Sequence, residues 1–317
     1  MVNASQVLAA RVDECLSTSQ VLAARVDDCL STSQVVGRCV TSSLLADPHI
    51  AAKSYPYQAD RLSLVLARSD ANDGDPGRSL PVPPMDLWEG YGETADEYLD
   101  TGRKDAEMIR RLTEAAGFSL SPAVRLLDFG CAAGRILRWF KDICSACELW
   151  GADIRADSML WCQENLSPPF HFVTTTTFPH LPFEDRYFDL IYTGSVFTHI
   201  PDHADTWLLE LRRVLRPGGF LLNTIHDEHT IDILRDPDRC RRHGAEYLRD
   251  MLASAEKDVT LDLSKYGMLV TSREPRVAQV FHHIDYIRKH WGQFFNIVSV
   301  TQEAYGYQTA VLLKKPV

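Results

Sequence analysis

An α/β fold built on a mostly parallel sheet, with helices on both faces, is predicted by three features of this chain. The stretch LLDFGCAAGR (126–135) reads as a buried strand that stops at Asp128, breaks into a small-residue turn and enters a helix (135–140). A second apolar segment, LWGADI (149–154), ends on another carboxylate, Asp153, 19 residues past Gly134. Strand and helix patterns then alternate to residue 225, an order that requires parallel strands joined by crossover helices.

Taken in order, a helical pattern covers 95–116, with a break expected near Gly102 and Gly117 as its C-terminal cap. Strand 124–129, helix 134–144, strand 149–154, helix 156–165 and a strand near 170–175 follow. Strand 187–196, helix 203–215 and strand 219–225 complete the alternation. Near the C-terminus, FFNIVSVTQ (294–302) and YQTAVLLKK (307–315) read as strands. The short link between them cannot hold a crossover helix, so they form an antiparallel hairpin. Residues 226–293 are long for a simple connection. They carry an expected strand pair (259–263 with 267–272) and the segment VFHHIDYIRKHW (280–291), whose His282, His283, Tyr286 and Trp291 make it a cover for a substrate.

In front of this core, SQVLAARVDECLST (5–18) recurs at 19–32 with one change, Glu14 to Asp28. The 14-residue period spans two heptads and lines up Leu8, Val12, Cys15, Leu22, Val26 and Cys29. Residues 1–45 therefore read either as a helix for self-association or docking, or as a duplicated leader without part in the chemistry. Residues 46–89 form a linker and N-terminal extension, richest in Asp, Gly and Pro at 69–86. The main domain spans 90–317.

Composition narrows the class. Apolar content of 45% and charged content of 24% are those of a soluble globular enzyme. A net charge of −10 argues against a nucleic-acid partner, and RCRRH (239–243) is a short basic patch that reads as a solvated face. No run of 18 apolar residues is present, which predicts no membrane span, and the N-terminus lacks the pattern of a signal peptide. Eight cysteines without a secreted spacing predict a reducing, cytoplasmic compartment.

The chemistry concentrates at strand ends. Gly130, Ala132, Ala133 and Gly134 keep side chains out of the turn, so a ligand can approach the backbone. The helix that follows aims its amides at the same place. Asp153 stands where an acidic residue of a βαβ unit meets a ribose. Together these describe a nucleoside crevice. A dinucleotide fingerprint needs glycine at the places of Ala132 and Arg135, and both fail, which argues against an NAD(P)-dependent oxidoreductase.

LLDFGCAAGR, the acidic end of GADI, LPFEDRYFDLIYTGSVFTHI (181–200), LRRVLRPGGFLL (211–222) and the closing hairpin stand in an order that resembles a class I S-adenosylmethionine-dependent methyltransferase. The resemblance is to the small-molecule group, with a methyltransferase type 11/12-like domain, and covers 90–317. It implies a Rossmann-like, doubly wound, seven-stranded sheet whose last strand is antiparallel. It also implies transfer of a methyl group from S-adenosylmethionine to an O, N or C nucleophile of a small molecule. The alternative is a non-catalytic S-adenosylmethionine-binding scaffold of the same fold.

By that resemblance Gly130, Cys131, Ala132 and Gly134 cradle the methionine part, with Asp128 and Ser195 near its amino group. Asp153 holds the ribose hydroxyls, Ile154 packs on the adenine, and Thr176 or Thr177 stands where the family often has an acid for the adenine amino group. His199 is the acid/base candidate, because an imidazole exchanges protons near neutral pH. His226, Asp227, Glu228 and His229 follow the fifth strand and line the acceptor side, with His226 the second catalytic candidate. Tyr91, Glu93 and Arg103 lie in a region that closes over the cofactor. The chain departs from the family at Ala132, usually glycine, and at the third strand end. No metal is expected: Pro201 interrupts the spacing of His199 and His203, and Cys144 and Cys147 lack a second pair.

Overall fold

The computed structural model describes residues 80–120, 123–143, 146–255, 262–272 and 278–317. The repeat, the linker up to residue 79, Cys144 and the start of the expected strand at 259–261 lie outside the described residues.

Five parallel strands form most of one sheet: β1 (Arg125–Phe129), β2 (Glu148–Asp153), β3 (His171–Thr174), β4 (Phe188–Thr193) and β5 (Leu215–Ile225). The hairpin adds β8 (Asn296–Tyr305) and β9 (Gln308–Lys314), giving seven strands in the order β3-β2-β1-β4-β5-β9-β8. β9 runs antiparallel between β5 and β8, as the short link requires.

The central strands are buried on both faces, which explains their continuous apolar runs. Leu127, Phe129, Trp150, Ile191 and Leu221 face one core with Trp207, Leu208 and Leu211 of α3 (Ala204–Val214). The alternate residues Leu126, Leu149, Phe172, Leu190 and Leu222 face the other. There they meet Met108 and Ile109 of α1 (Ala95–Ala115) and Met159 and Cys162 of α2 (Ala156–Asn165).

Two local expectations change, and one strand gains an unexpected partner. The first helix does not break at Gly102; α1 runs through it, because a Cβ there would lie 2.3 Å from the Arg135 carbonyl oxygen. Close approach of helix to loop, rather than helix termination, is the use of that glycine. The segment after the glycine loop is a 3₁₀ helix (Leu137–Ile143) instead of an α-helix, entered through an i to i+3 bond from Trp139 N to Ile136 O. In the insertion, β6 (Met268–Val270) pairs antiparallel with β7 (Val280–His282), a partner the sequence does not suggest. Phe281 of β7 fills the insertion's own core, and its backbone bridges to His226 at the end of β5.

That core is built by α4 (Glu228–Arg235), α5 (Pro237–Arg242) and α6 (Glu246–Ala255) through Ile231, Leu234, Cys240, Leu248 and Leu252. A short α7 (Ile284–His290) and the turn at Trp291 return the chain to the main core. The insertion thus stands beyond the carboxyl ends of β4 and β5.

Candidate functional site

The glycine loop leaves β1 through a backbone that only small residues tolerate. Gly130 has φ +87° and Gly134 +72°. A Cβ on Gly130 would meet Val196 Cγ2 at 2.2 Å, so the loop after β4 lies directly on the loop after β1. Ala132 also takes a left-handed conformation, φ +44°, where a methyl group costs about 1–2 kcal/mol. The Ala132 amide donates to Asp153 Oδ2 at 2.7 Å, and the Arg155 amide donates to Oδ1 at 2.8 Å. Asp153 is half-buried, and desolvation of its carboxyl raises it above the usual range. Each carboxylate oxygen has a further lone pair for a ribose hydroxyl.

Beside Asp153, Ile154 is 52% exposed and Phe178 45% exposed, two apolar surfaces at the ends of β2 and β3. Thr176 is buried and its hydroxyl bonds within its own turn to the Phe178 amide, while Thr177 is exposed. Cys131 is buried beneath the loop, its Sγ 3.9 Å from Met159 Sδ.

Under Leu87, Trp88 and Tyr91 a cavity of about 30 Å³ lies between Asp128 and Arg135, lined also by Tyr98, Gly130, Ala132, Gly194 and Tyr305. Asp128 Oδ2 is buried there without a hydrogen-bond partner among the described residues. Burial pushes its carboxyl up to about 8, offset in part by the nearby Tyr192 hydroxyl and, less, by the Arg135 guanidinium. Arg135 is itself buried, 2.7 Å from Asp105, 2.5 Å from the Tyr305 hydroxyl, and stacked 3.7 Å over the Tyr91 ring. One wall offers an unpartnered carboxyl and the other a guanidinium. That pair matches the ammonium and carboxylate of an amino acid, so the residues present fit the methionine end of S-adenosylmethionine.

Arg135, Tyr305, Trp88 and Tyr98 were not assigned to the site by sequence. Arg135 had a local signal, a cation inside the apolar run RILRWF. Tyr305 had none, since it reaches Arg135 from 170 residues away. A larger cavity, about 450 Å³, opens at the opposite end of the sheet between Phe118, Phe220, Arg216 and Lys314. It lies at the amino ends of the strands, away from the carboxyl ends where ligands of open α/β sheets bind.

On the insertion side, His199 is exposed and its Nδ1 lies 2.9 Å from the Ala278 carbonyl oxygen. A carbonyl only accepts, so Nδ1 donates and the neutral ring leaves its lone pair on Nε2. His226 is buried, stacked on Tyr307 and 3.1 Å through Nε2 from Gln279 Oε1. There the tautomer is reversed: Nε2 donates and Nδ1, buried without a partner, keeps the lone pair. Burial pushes the His226 imidazole down to about 3. His282 is pushed down to about 4 for the same reason. Asp227 caps α4 by accepting from the Thr230 amide at 3.0 Å. Glu228 accepts from the Ile284 amide at 3.0 Å, and His229 pairs with Glu303 at 2.8 Å. These three hold the insertion together. Of the front-end residues, Tyr91 enters the cavity, whereas Arg103 pairs with Asp100 and Glu107 on the surface of α1. The Glu93 amide closes the first turn of α1 onto Glu97.

The fold and the crevice define an α/β protein that binds a nucleoside carrying an amino acid. Residues 127–223 match the Methyltransf_11 family, described as a methyltransferase domain. The chain is similar to malonyl-[acyl-carrier protein] O-methyltransferase of Enterobacter lignolyticus, 28% identical over 55% of this chain and 69% of that protein. It is also similar to phthiotriol/phenolphthiotriol dimycocerosates methyltransferase 1 of Mycobacterium ulcerans, 29% identical over 45% of this chain and 49% of that one. Among solved structures, the PH0226 protein of Pyrococcus horikoshii overlays with a TM-score of 0.48 at 17% identity, over 71% of this chain and 92% of that one. Residues 127–223 and the sheet around them are a class I S-adenosylmethionine-dependent methyltransferase domain, and S-adenosylmethionine is its cofactor. Among the described residues no helix is long and apolar enough to cross a membrane.

Proposed function

We propose that this enzyme methylates an oxygen, nitrogen or carbon of a small-molecule acceptor bound between the loop after β4 and the insertion. The observation that carries this reading is the buried Nδ1 of His226, which has no partner among the described residues. A neutral imidazole lone pair in a dry site accepts a hydrogen bond from a hydroxyl or amine and orients its nucleophilic lone pair. His199 would offer a second lone pair through Nε2, at the exposed rim, where a proton can pass to solvent. Asp128 and Arg135 hold the amino-acid end of the cofactor, the glycine loop admits it, and Asp153 takes the ribose. Adenine would lie against Ile154 and Phe178, with Thr176 and Thr177 beside it. S-adenosylmethionine, when bound, supplies a methyl group on a sulfonium that is already a good leaving group.

A cytoplasmic protein with no nucleic-acid partner is the setting we infer, with the repeat at 5–32 available for self-association. Deleting residues 1–45 and measuring mass in solution tests that last point. The acceptor itself is found by incubating the protein with cell extract and a deuterated-methyl cofactor, then searching by mass spectrometry for labelled product. Labelled small molecules that vanish with His226→Phe support the reading. Cofactor binding without any labelled product would favour the scaffold.

A further inference from the structure

Ser195 occupies the left-handed region, φ +59°, where serine is uncommon. A closed ring of hydrogen bonds holds it there. The Ser195 amide donates to Thr224 Oγ1 at 2.7 Å, and the Thr224 hydroxyl donates to Gln308 Oε1 at 2.7 Å. Gln308 Nε2 donates back to Ser195 Oγ at 2.8 Å. The Thr198 hydroxyl closes the turn from the other side, donating to the Ser195 carbonyl oxygen at 2.8 Å. Thr198, Thr224 and Gln308 are all buried. The ring therefore joins the end of β4 to β5 and β9, the last from 113 residues away.

The turn it fixes has two contacts with the cofactor site. Gly194 lines the cavity beside Asp128, and Val196 lies on Gly130 with no room for a Cβ between them. The position of residues 194–196 thus sets the width of the crevice at its amino-acid end. Buried polar groups with every partner in place specify one geometry, and losing one member leaves the others unsatisfied.

We propose that Thr224 and Gln308 are positioning residues for the amino-acid end of the cofactor. They act through Ser195 and the turn, without touching the ligand. The inference rests on the glycine loop holding S-adenosylmethionine. It predicts an effect on one half of the ligand only, because Asp153 and the adenine surfaces belong to β2 and β3.

Calorimetry with two ligands tests it. S-adenosylhomocysteine carries the amino-acid end; 5′-methylthioadenosine has the same nucleoside without it. Thr224→Val, which keeps shape and removes the hydroxyl, and Gln308→Leu should each weaken S-adenosylhomocysteine about tenfold, the loss of one buried hydrogen bond. Affinity for 5′-methylthioadenosine should change less than about twofold, and Thr224→Ser should restore both values. Gln308→Leu breaks the ring from the other side should Thr224→Val fail to fold. If both ligands weaken together, or neither does, the positioning role is wrong. Failure of the unaltered protein to bind S-adenosylhomocysteine would instead remove the cofactor reading beneath it.

Discussion

The cofactor side of the cleft and the side where we place the acceptor both bury a titratable group, yet of opposite kinds. On the cofactor side burial lifts Asp128 to about 8, so at neutral pH the carboxyl keeps its proton. On the acceptor side burial drops His226 to about 3 and His282 to about 4, so both imidazoles stay neutral. The same desolvation acts in both places, and what differs is the ligand each half waits for. A buried carboxyl becomes anionic when an ammonium arrives to pair with it. A buried neutral imidazole with a free lone pair suits an uncharged hydrogen-bond donor.

The largest effects should separate the halves outright. Gly130→Val places a side chain 2.2 Å from Val196 Cγ2 at positive φ, and Asp153→Ala removes the carboxylate that ties the glycine loop to β2. Each should weaken S-adenosylhomocysteine by more than about 100-fold in calorimetry, the scale expected for loss of a buried charged hydrogen-bond partner. Retained affinity in Asp153→Ala would mean that the ribose lies elsewhere.

Acid stability should isolate the acceptor half. The unfolded chain protonates its histidines near 6.5, whereas folded His282 resists until about 4. The unfolded state therefore binds more protons as pH falls from 6.5, and this share of stability is lost across that window. At about 1.4 kcal/mol per pH unit the loss is on the order of 3 kcal/mol. Asp128 acts in the opposite sense between about 8 and its unfolded value near 3.9, because the folded state keeps a proton that the unfolded state gives up. Denaturation of His282→Gln alongside the unaltered protein cancels that opposing contribution. The variant should show the flatter acid limb; identical slopes would mean that His282 is not held neutral.

How much of each half was legible follows from where its parts lie in the chain. The glycine loop, Asp128 and Asp153 sit within 28 residues, on strands whose apolar runs announce burial on both faces. The proposed acceptor half would be assembled from His199, His226, Gln279 and Tyr307, and only the histidines carry a residue-level signal. Gln279 and Gln308 matter through partners that tertiary packing supplies, which no local pattern encodes. Gly102 reads as a helix break by propensity alone, because the Arg135 carbonyl that passes over it belongs to a segment no local pattern reaches.

Cofactor affinity should follow the cofactor half's own titration. Below pH 8 free Asp128 is protonated, and an incoming ammonium must displace that proton. S-adenosylhomocysteine affinity should fall about tenfold per pH unit below 8, with about one proton released per ligand bound at pH 7. Calorimetry in buffers of different ionisation enthalpy measures the release directly. A pH-independent affinity would assign the ammonium to another group.

The smallest effect tests whether the departure at Ala132 is a burden or a device. Its φ of +44° disfavours alanine by about 1–2 kcal/mol, while glycine loses up to about 1 kcal/mol more backbone entropy on folding. Ala132→Gly should therefore stabilise the protein by no more than about 1 kcal/mol in denaturant titration. The Ala132 amide that donates to Asp153 survives the change, so cofactor affinity should stay within about threefold. A clear loss of affinity would show that the alanine methyl holds the loop in register, and that the strain at this position serves the cofactor rather than merely being tolerated.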